Sequence, residues 1–245
     1  MSNDDRPLLA VLIDADNVPA KTADAILREI TDIGDPALRR VYGDWSNKGL
    51  SGWTDKIRDL GMVARQQSAN TRGKNASDIG LVIDAMDMLH TGRFDGFVLV
   101  SSDSDFTQLA GRLREDGKLV IGIGEAKTPK SLRNVCNRFI LIENILADAQ
   151  PRKARSRKAD TSKLEEAASF IRDAMDKIEQ EDEWYSLGGI GSLLRAAQPD
   201  FDPRSYGARK LSDLVKNLGV LGFETRKQGN HLQLRWVAED ARKQG

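Results

Sequence analysis

Apolar residues follow two alternating rhythms along the first part of the chain. Short runs with few interior polar residues recur at LLAVLID (Leu8–Asp14), LRRVYG (Leu38–Gly43), MVARQQ (Met62–Gln67), GFVLVSS (Gly96–Ser102), KLVIGIG (Lys118–Gly124) and RFILI (Arg138–Ile142). Their length and punctuation predict strands. Between them apolar residues recur at helical spacing over Ala20–Ile33, Leu50–Leu60, Asp78–Leu89 and Phe106–Glu115, with Ser77 placed to cap the third helix. Strands too apolar to leave one face in water, each followed by a helix, predict an α/β fold. Its sheet is mostly parallel and sandwiched by helices.

The pattern breaks at QPRKARSRKADTSK (Gln150–Lys163), which has no large apolar residue and five Lys or Arg between Arg152 and Lys158. It cannot bury a core and reads as a flexible basic linker over 150–162, dividing a domain at 1–149 from a second at 163–237, with a tail at 238–245. In the second domain a helix is expected over Leu164–Ile178. Amphipathic spacing follows at Ile190, Leu193 and Leu194, and again at Leu211, Leu214, Val215 and Leu218. FETRKQGNHLQLRW then reads as two short strands around Gln228, Gly229 and Asn230, completing a small α+β domain.

Composition narrows the class. With 245 residues, 40% of them hydrophobic, the chain can build one full α/β core and a smaller one. The single cysteine, Cys136, excludes an internal disulfide framework. MSNDDRPLL lacks the basic and apolar regions of a signal peptide, and no apolar run is long enough for a bilayer, so a cytoplasmic protein without membrane partners is expected. A net charge of zero hides a division: residues 1–150 carry 19 Lys and Arg against 22 Asp and Glu, and the remainder 18 against 15. Pro203–Arg235 holds seven basic and two acidic residues, a surplus that suits a polyanion or a solvated surface.

The acids are the chemical signal. VLVSSDSDF (Val98–Phe106) runs an apolar strand into Asp103 and Asp105; the first strand ends in Asp14 and is followed by Asp16; Asp78 opens a helix. Parallel strands end on one sheet edge, so if the first and fourth strands are neighbours these carboxylates share the crevice where ligands bind in such sheets. Helix capping is the simpler explanation for Asp78 or Asp105 alone. Capping does not require acids at the ends of two apolar strands, whereas hard oxygen donors in this number suit Mg²⁺ or Mn²⁺. His90 and His231 are too far apart in sequence to suggest a zinc cluster.

Two resemblances use these acids. LIDADNV fits an Asp-x-Asp-x-Thr/Val pattern similar to haloacid-dehalogenase-type phosphatases, with Asp14 as nucleophile and Asp16 as acid or base. The chain departs from that pattern at Gly43 and Asp44, where Ser or Thr is usual, and at Thr107, where a later acid is usual. IDADN at Ile13–Asn17, GKNASD at Gly73–Asp78 and SSDSDF at Ser101–Phe106 together resemble the NYN branch of PIN-like nucleases, in its LabA-like group, over about residues 8–145. The resemblance implies a PIN-like fold and metal-dependent endoribonuclease activity. It gives Asp14, Asp78 and Asp103 as metal-binding acids, Asn17 as their polar neighbour and Asp105 as an accessory acid. Lys74 and Arg72, in SANTRGKNAS, would grip phosphate. The chain has Ser102 where the motif has glycine, and Asn137 where an acid is expected before the last strand, which implies a weaker metal site.

EWYSLGGIGSLLRAAQPDFDPRSYGARKLSDLVKNLGVLGFETRKQGNHLQLRW resembles the LOTUS, or OST-HTH, domain, a winged-helix-like module linked to RNA binding, over about residues 163–237. By that resemblance Tyr206, Arg209 and Lys210 begin a recognition helix, and Arg226 and Lys227 flank the wing as contacts to the RNA backbone. A protein partner at this domain is the other reading, and Tyr206 also fits a core position. Trp45 could stack on a base but favours packing, and Trp53 reads as core. The leading function is cleavage of single-stranded or structured RNA. An RNA-binding adaptor that keeps the fold without the chemistry is the alternative.

Overall fold

The computed structural model describes residues 6–46, 48–66, 76–149, 161–229 and 231–237, with side chains from residue 78 onward in the third stretch. The chain forms two compact units, residues 1–150 and 151–245. In the first, β1 (Leu8–Asp14) is apolar up to its last residue because its successive side chains enter two different cores. Leu9, Val11 and Ile13 pack with α1 (Ala23–Ile33), α2 (Ser51–Asp59) and α6 (Ile142–Ala149). Ala10 and Leu12 pack with α3 (Ala76–His90), α4 (Thr107–Glu115) and α5 (Lys130–Val135).

Around β1 lie β2 (Asp35–Gly43), β3 (Val63–Gln66), β4 (Gly96–Val100), β5 (Leu119–Gly124) and β6 (Arg138–Leu141). The order across the sheet is β3-β2-β1-β4-β5-β6, and every pairing is parallel. The chain moves outward from β1 to β3, then returns to the other side of β1 with β4. That reversal places the first and fourth strands side by side, in register from Leu9 opposite Gly96 to Ile13 opposite Val100. The residues after them, Asp14 and Ser101, therefore leave the sheet together at its switch point.

Local departures from the sequence reading have physical causes. β2 starts at Asp35 rather than Leu38, because a register shift between Leu8 and Ala10 accommodates Pro36 within the strand. α3 starts at Ala76, so Ser77 lies inside its first turn instead of capping it. α1 and α4 are each preceded by one 3-10 turn, Ala20–Thr22 and Ser104–Phe106. At Gly122 a Cβ would stand 2.7 Å from Cε2 of Phe139, so the Phe139 ring packs on β5 only because that position is glycine.

The second unit contains α7 (Thr161–Met175), α8 (Leu187–Ala197) and α9 (Leu211–Asn217) with β7 (Tyr185–Ser186), β8 (Phe223–Gln228) and β9 (His231–Trp236). The strands form an antiparallel sheet ordered β7-β9-β8. The predicted amphipathic faces supply its core: Ile171, Ile190, Leu214, Val215 and Leu218 are fully buried.

Candidate active site

Asp14 ends β1 and is buried, with 1% of its surface exposed. Its carboxylate is held on both oxygens. Oδ2 accepts from Ser101 Oγ and from Asn17 Nδ2, each at 2.7 Å. Oδ1 accepts from the backbone N–H groups of Asp16 at 3.2 Å and Asn17 at 3.3 Å. Burial raises the Asp14 pKa, and these hydrogen bonds oppose the rise. Asn17 is thus a direct partner of Asp14, in keeping with the polar neighbour inferred from IDADN.

Ser101 is the hinge of the site. Its buried hydroxyl donates to Asp14 and accepts the backbone N–H of Asp103 at 3.0 Å, joining the ends of β1 and β4. Asp103 then caps the 3-10 turn by accepting the Asp105 N–H at 2.9 Å. Capping and acid clustering are not alternatives here. Asp103 does both, because the turn that it caps carries Asp105 back toward it.

Asp78 is brought to the same place by the first turn of α3. Its pKa is raised to about 6, first by burial and then by the charges of Asp14, Asp103, Asp105 and Asp16. Carboxylate oxygens of Asp78, Asp103 and Asp105 lie within 4.8 Å of one another. Asp14 stands outside that trio although its charge acts on Asp78; Asp105, expected as an accessory, stands inside it. Neither Asp78 nor Asp103 has a Lys or Arg ion pair among the described residues. Like charges gathered this closely lower their energy by taking up a proton or binding a cation.

Other expected residues fall elsewhere. Lys74 and Arg72 lie outside the described residues. Asn137 corrects the sequence reading: it precedes β6 at the edge of the sheet opposite the acids, and its Oδ1 accepts the Val120 N–H at 2.8 Å. An amide there lies away from the cluster of acids. Trp45 donates from Nε1 to the Arg65 carbonyl at 2.9 Å and packs on the core, and Trp53 is buried with Nε1 donating to the Val18 carbonyl at 3.2 Å. Tyr206 does not begin a helix. It closes the 3-10 turn Pro203–Tyr206 with its ring 5.4 Å from that of Phe201, and burial raises its hydroxyl pKa. Arg209 and Lys210 are exposed ahead of α9, and Lys227 is exposed on β8. Arg226 is packed over the Trp184 ring at 4.3 Å.

Two contributors escaped the sequence reading. Ser101 sits inside the quoted SSDSDF motif, and only tertiary pairing reveals it as the bond between strands. Asp84 is the other. Its Oδ2 accepts from Arg40 at 2.8 Å, the Tyr42 hydroxyl at 2.9 Å and Arg65 at 3.1 Å, fastening α3 to β2 and β3. Its position on α3 beyond Asp78 carried no separate motif.

Comparison with known proteins fits this geometry. Residues 8–143 match the family model described as the NYN domain, and residues 162–233 that of the OST-HTH/LOTUS domain. Among solved structures, a protein of unknown function from Vibrio parahaemolyticus superposes with a TM-score of 0.50 at 20% identity, covering 59% of this chain and 98% of that one. That likeness speaks for the fold. No curated protein matches the chain. No helix among the described residues is long and apolar enough to cross a membrane.

Proposed function

Because the chain belongs to the NYN domain family of PIN-like nucleases, we propose that it is a metal-dependent endoribonuclease whose OST-HTH/LOTUS unit captures the RNA. One observation carries the reading: Asp78, Asp103 and Asp105 converge within 4.8 Å at the switch point of the sheet, with Asp14 behind them. Three carboxylates without a cationic partner on Asp78 or Asp103 are a donor set suited to Mg²⁺ or Mn²⁺. When bound, the cation supplies phosphate charge neutralisation and a more acidic water for in-line attack.

The chain's own residues do the rest. Asp78, Asp103 and Asp105 would hold the ion, and Asp14 adds a fourth charge that Ser101 and Asn17 keep in place. Asp78 holds a proton below about pH 6 in the free protein, so metal binding and protonation compete there. Lys74, within the GKNASD motif, and Arg72, directly before it, would steady the phosphate. The basic stretch at 150–162 tethers the two domains, and a tethered RNA-binding unit raises the RNA concentration at the acids. A cytoplasmic setting goes with this reading, and the single cysteine agrees with a compartment where disulfides are rare.

The test is cleavage of labelled single-stranded and structured RNAs with Mg²⁺ or Mn²⁺, comparing the wild type with Asp103→Asn. Loss of cleavage on the order of a hundredfold or more is expected for the variant. Equal cleavage by a folded Asp103→Asn protein would refute the assignment. Tight RNA binding with no turnover under any metal would favour the adaptor.

A further inference from the structure

The second unit carries many cations, and its structure separates those already neutralised from those that are not. Arg204 donates to both oxygens of Asp202 at 2.7 to 3.0 Å. Arg235 pairs with Glu224 at 2.7 Å and Glu183 at 3.3 Å. Arg226 lies 3.7 Å from Asp182 in addition to covering Trp184. The guanidinium groups nearest the wing are therefore compensated, whereas Lys227 is exposed there with no acidic partner among the described residues. Arg195 and Lys210 are exposed and have no acidic partner among the described residues; Arg195 donates only to the neutral Ser192 hydroxyl, at 3.4 Å.

These two uncompensated cations meet in one concavity. A groove of about 400 Å³ between α8, the segment entering α9, and β9 has a floor that includes Leu187, Leu211 and Leu232, with Ser186, Arg195, Lys210, Ser212 and His231 as its polar lining. Gly191 permits the close approach of the two helices, since a Cβ there would stand 3.3 Å from Leu211. The groove thus offers two net positive charges, two hydroxyls and an imidazole beside three leucines, and among the described residues its lining contains no Phe, Tyr or Trp for a base to stack on.

We infer that this groove is a phosphate subsite, and that the phosphodiester backbone of an RNA strand lies in it against Arg195 and Lys210. The inference rests on RNA capture by this unit and specifies the face that performs it. Contacts to backbone rather than bases position a strand without reading its sequence, so oligonucleotides of different sequence bind this face alike.

The experiment uses the full chain in EDTA, with fluorescence anisotropy of a labelled single-stranded RNA over a range of salt. Arg195→Gln with Lys210→Gln is compared with Arg226→Gln with Lys227→Gln, and thermal melts check that each variant folds. The groove pair should lose about tenfold in affinity and about 1.4 from the slope of log K against log salt, and the wing pair, in which only Lys227 lacks an acidic partner, about half of that slope or less. Arg195→Lys with Lys210→Arg should restore binding. Loss confined to the wing pair would overturn the groove while leaving RNA capture standing. Wild-type affinity in both pairs would overturn the groove and place capture outside this unit. Polyglutamate competing as well as RNA would overturn it in favour of an acidic protein partner.

Discussion

Replacing Asp78 by Asn should stabilise the metal-free protein at neutral pH while weakening its hold on a cation. In the free protein the Asp78 carboxyl titrates at about 6 instead of 3.8, because burial and four neighbouring aspartates oppose its charge. Fully expressed, that displacement corresponds to about 3 kcal/mol. Asp78 is partly open to water, and screening reduces the usable figure to about 1 kcal/mol. For a domain of this size that is a rise in Tm of about 3 °C. The sign follows from linkage. A raised folded-state pKa gives stability that is complete below the unfolded value of 3.8 and is lost as pH rises through about 6. The wild type should therefore melt lower at about pH 8 than at about pH 4.5, and Asp78→Asn should narrow that difference. Thermal melts in EDTA at both pH values, repeated with Mn²⁺, measure it. Mn²⁺ should raise the wild-type Tm more than that of the variant, because binding to the folded state stabilises it. An Asp78→Asn protein that melts at or below wild type in EDTA at the higher pH would refute the claim that these acids repel one another at a shared site.

Three further outcomes follow from particular contacts. Ser101→Ala removes the hydroxyl that joins Asp14 to the Asp103 backbone, and should cost about 1–3 kcal/mol by urea denaturation along with a fall in cleavage. Asp84→Ala leaves Arg40, Tyr42 and Arg65 without their shared acceptor and should destabilise the first unit by about 2 kcal/mol, seen as a lower urea midpoint. Gly122→Ala drives a methyl into the Phe139 ring and should cost about 1–3 kcal/mol in the same measurement.

The alternation of β1 shows why so much of the fold was legible. A central parallel strand must be apolar on both faces, and each βα unit repeats that local requirement, so the strands and layers follow from patterns a few residues long, while the order of the strands across the sheet does not. The three acidic motifs were legible for a related reason: each sits at a strand end or helix start that local spacing identifies. Asn137 was misread because its expected role came from family position alone. The strand that it precedes presents its amino end, and not its carboxyl end, at that point.

Charge balance in the second unit was the least legible feature. Seven basic residues between Pro203 and Arg235 look equivalent in sequence. In the fold, Arg235 meets Glu183 across 52 positions and Arg226 covers Trp184, while Lys210 is left with Arg195 in a groove. The sequence by itself determined the two units, the parallel sheet and which carboxylates could serve, because periodicity and chain direction are local properties. Only the tertiary structure decided which acids stand together, that Ser101 binds Asp14 from 87 positions away, and which cations keep their charge unanswered. Coulomb and hydrogen-bond energies depend on distance in space, and no spacing along the chain specifies that distance.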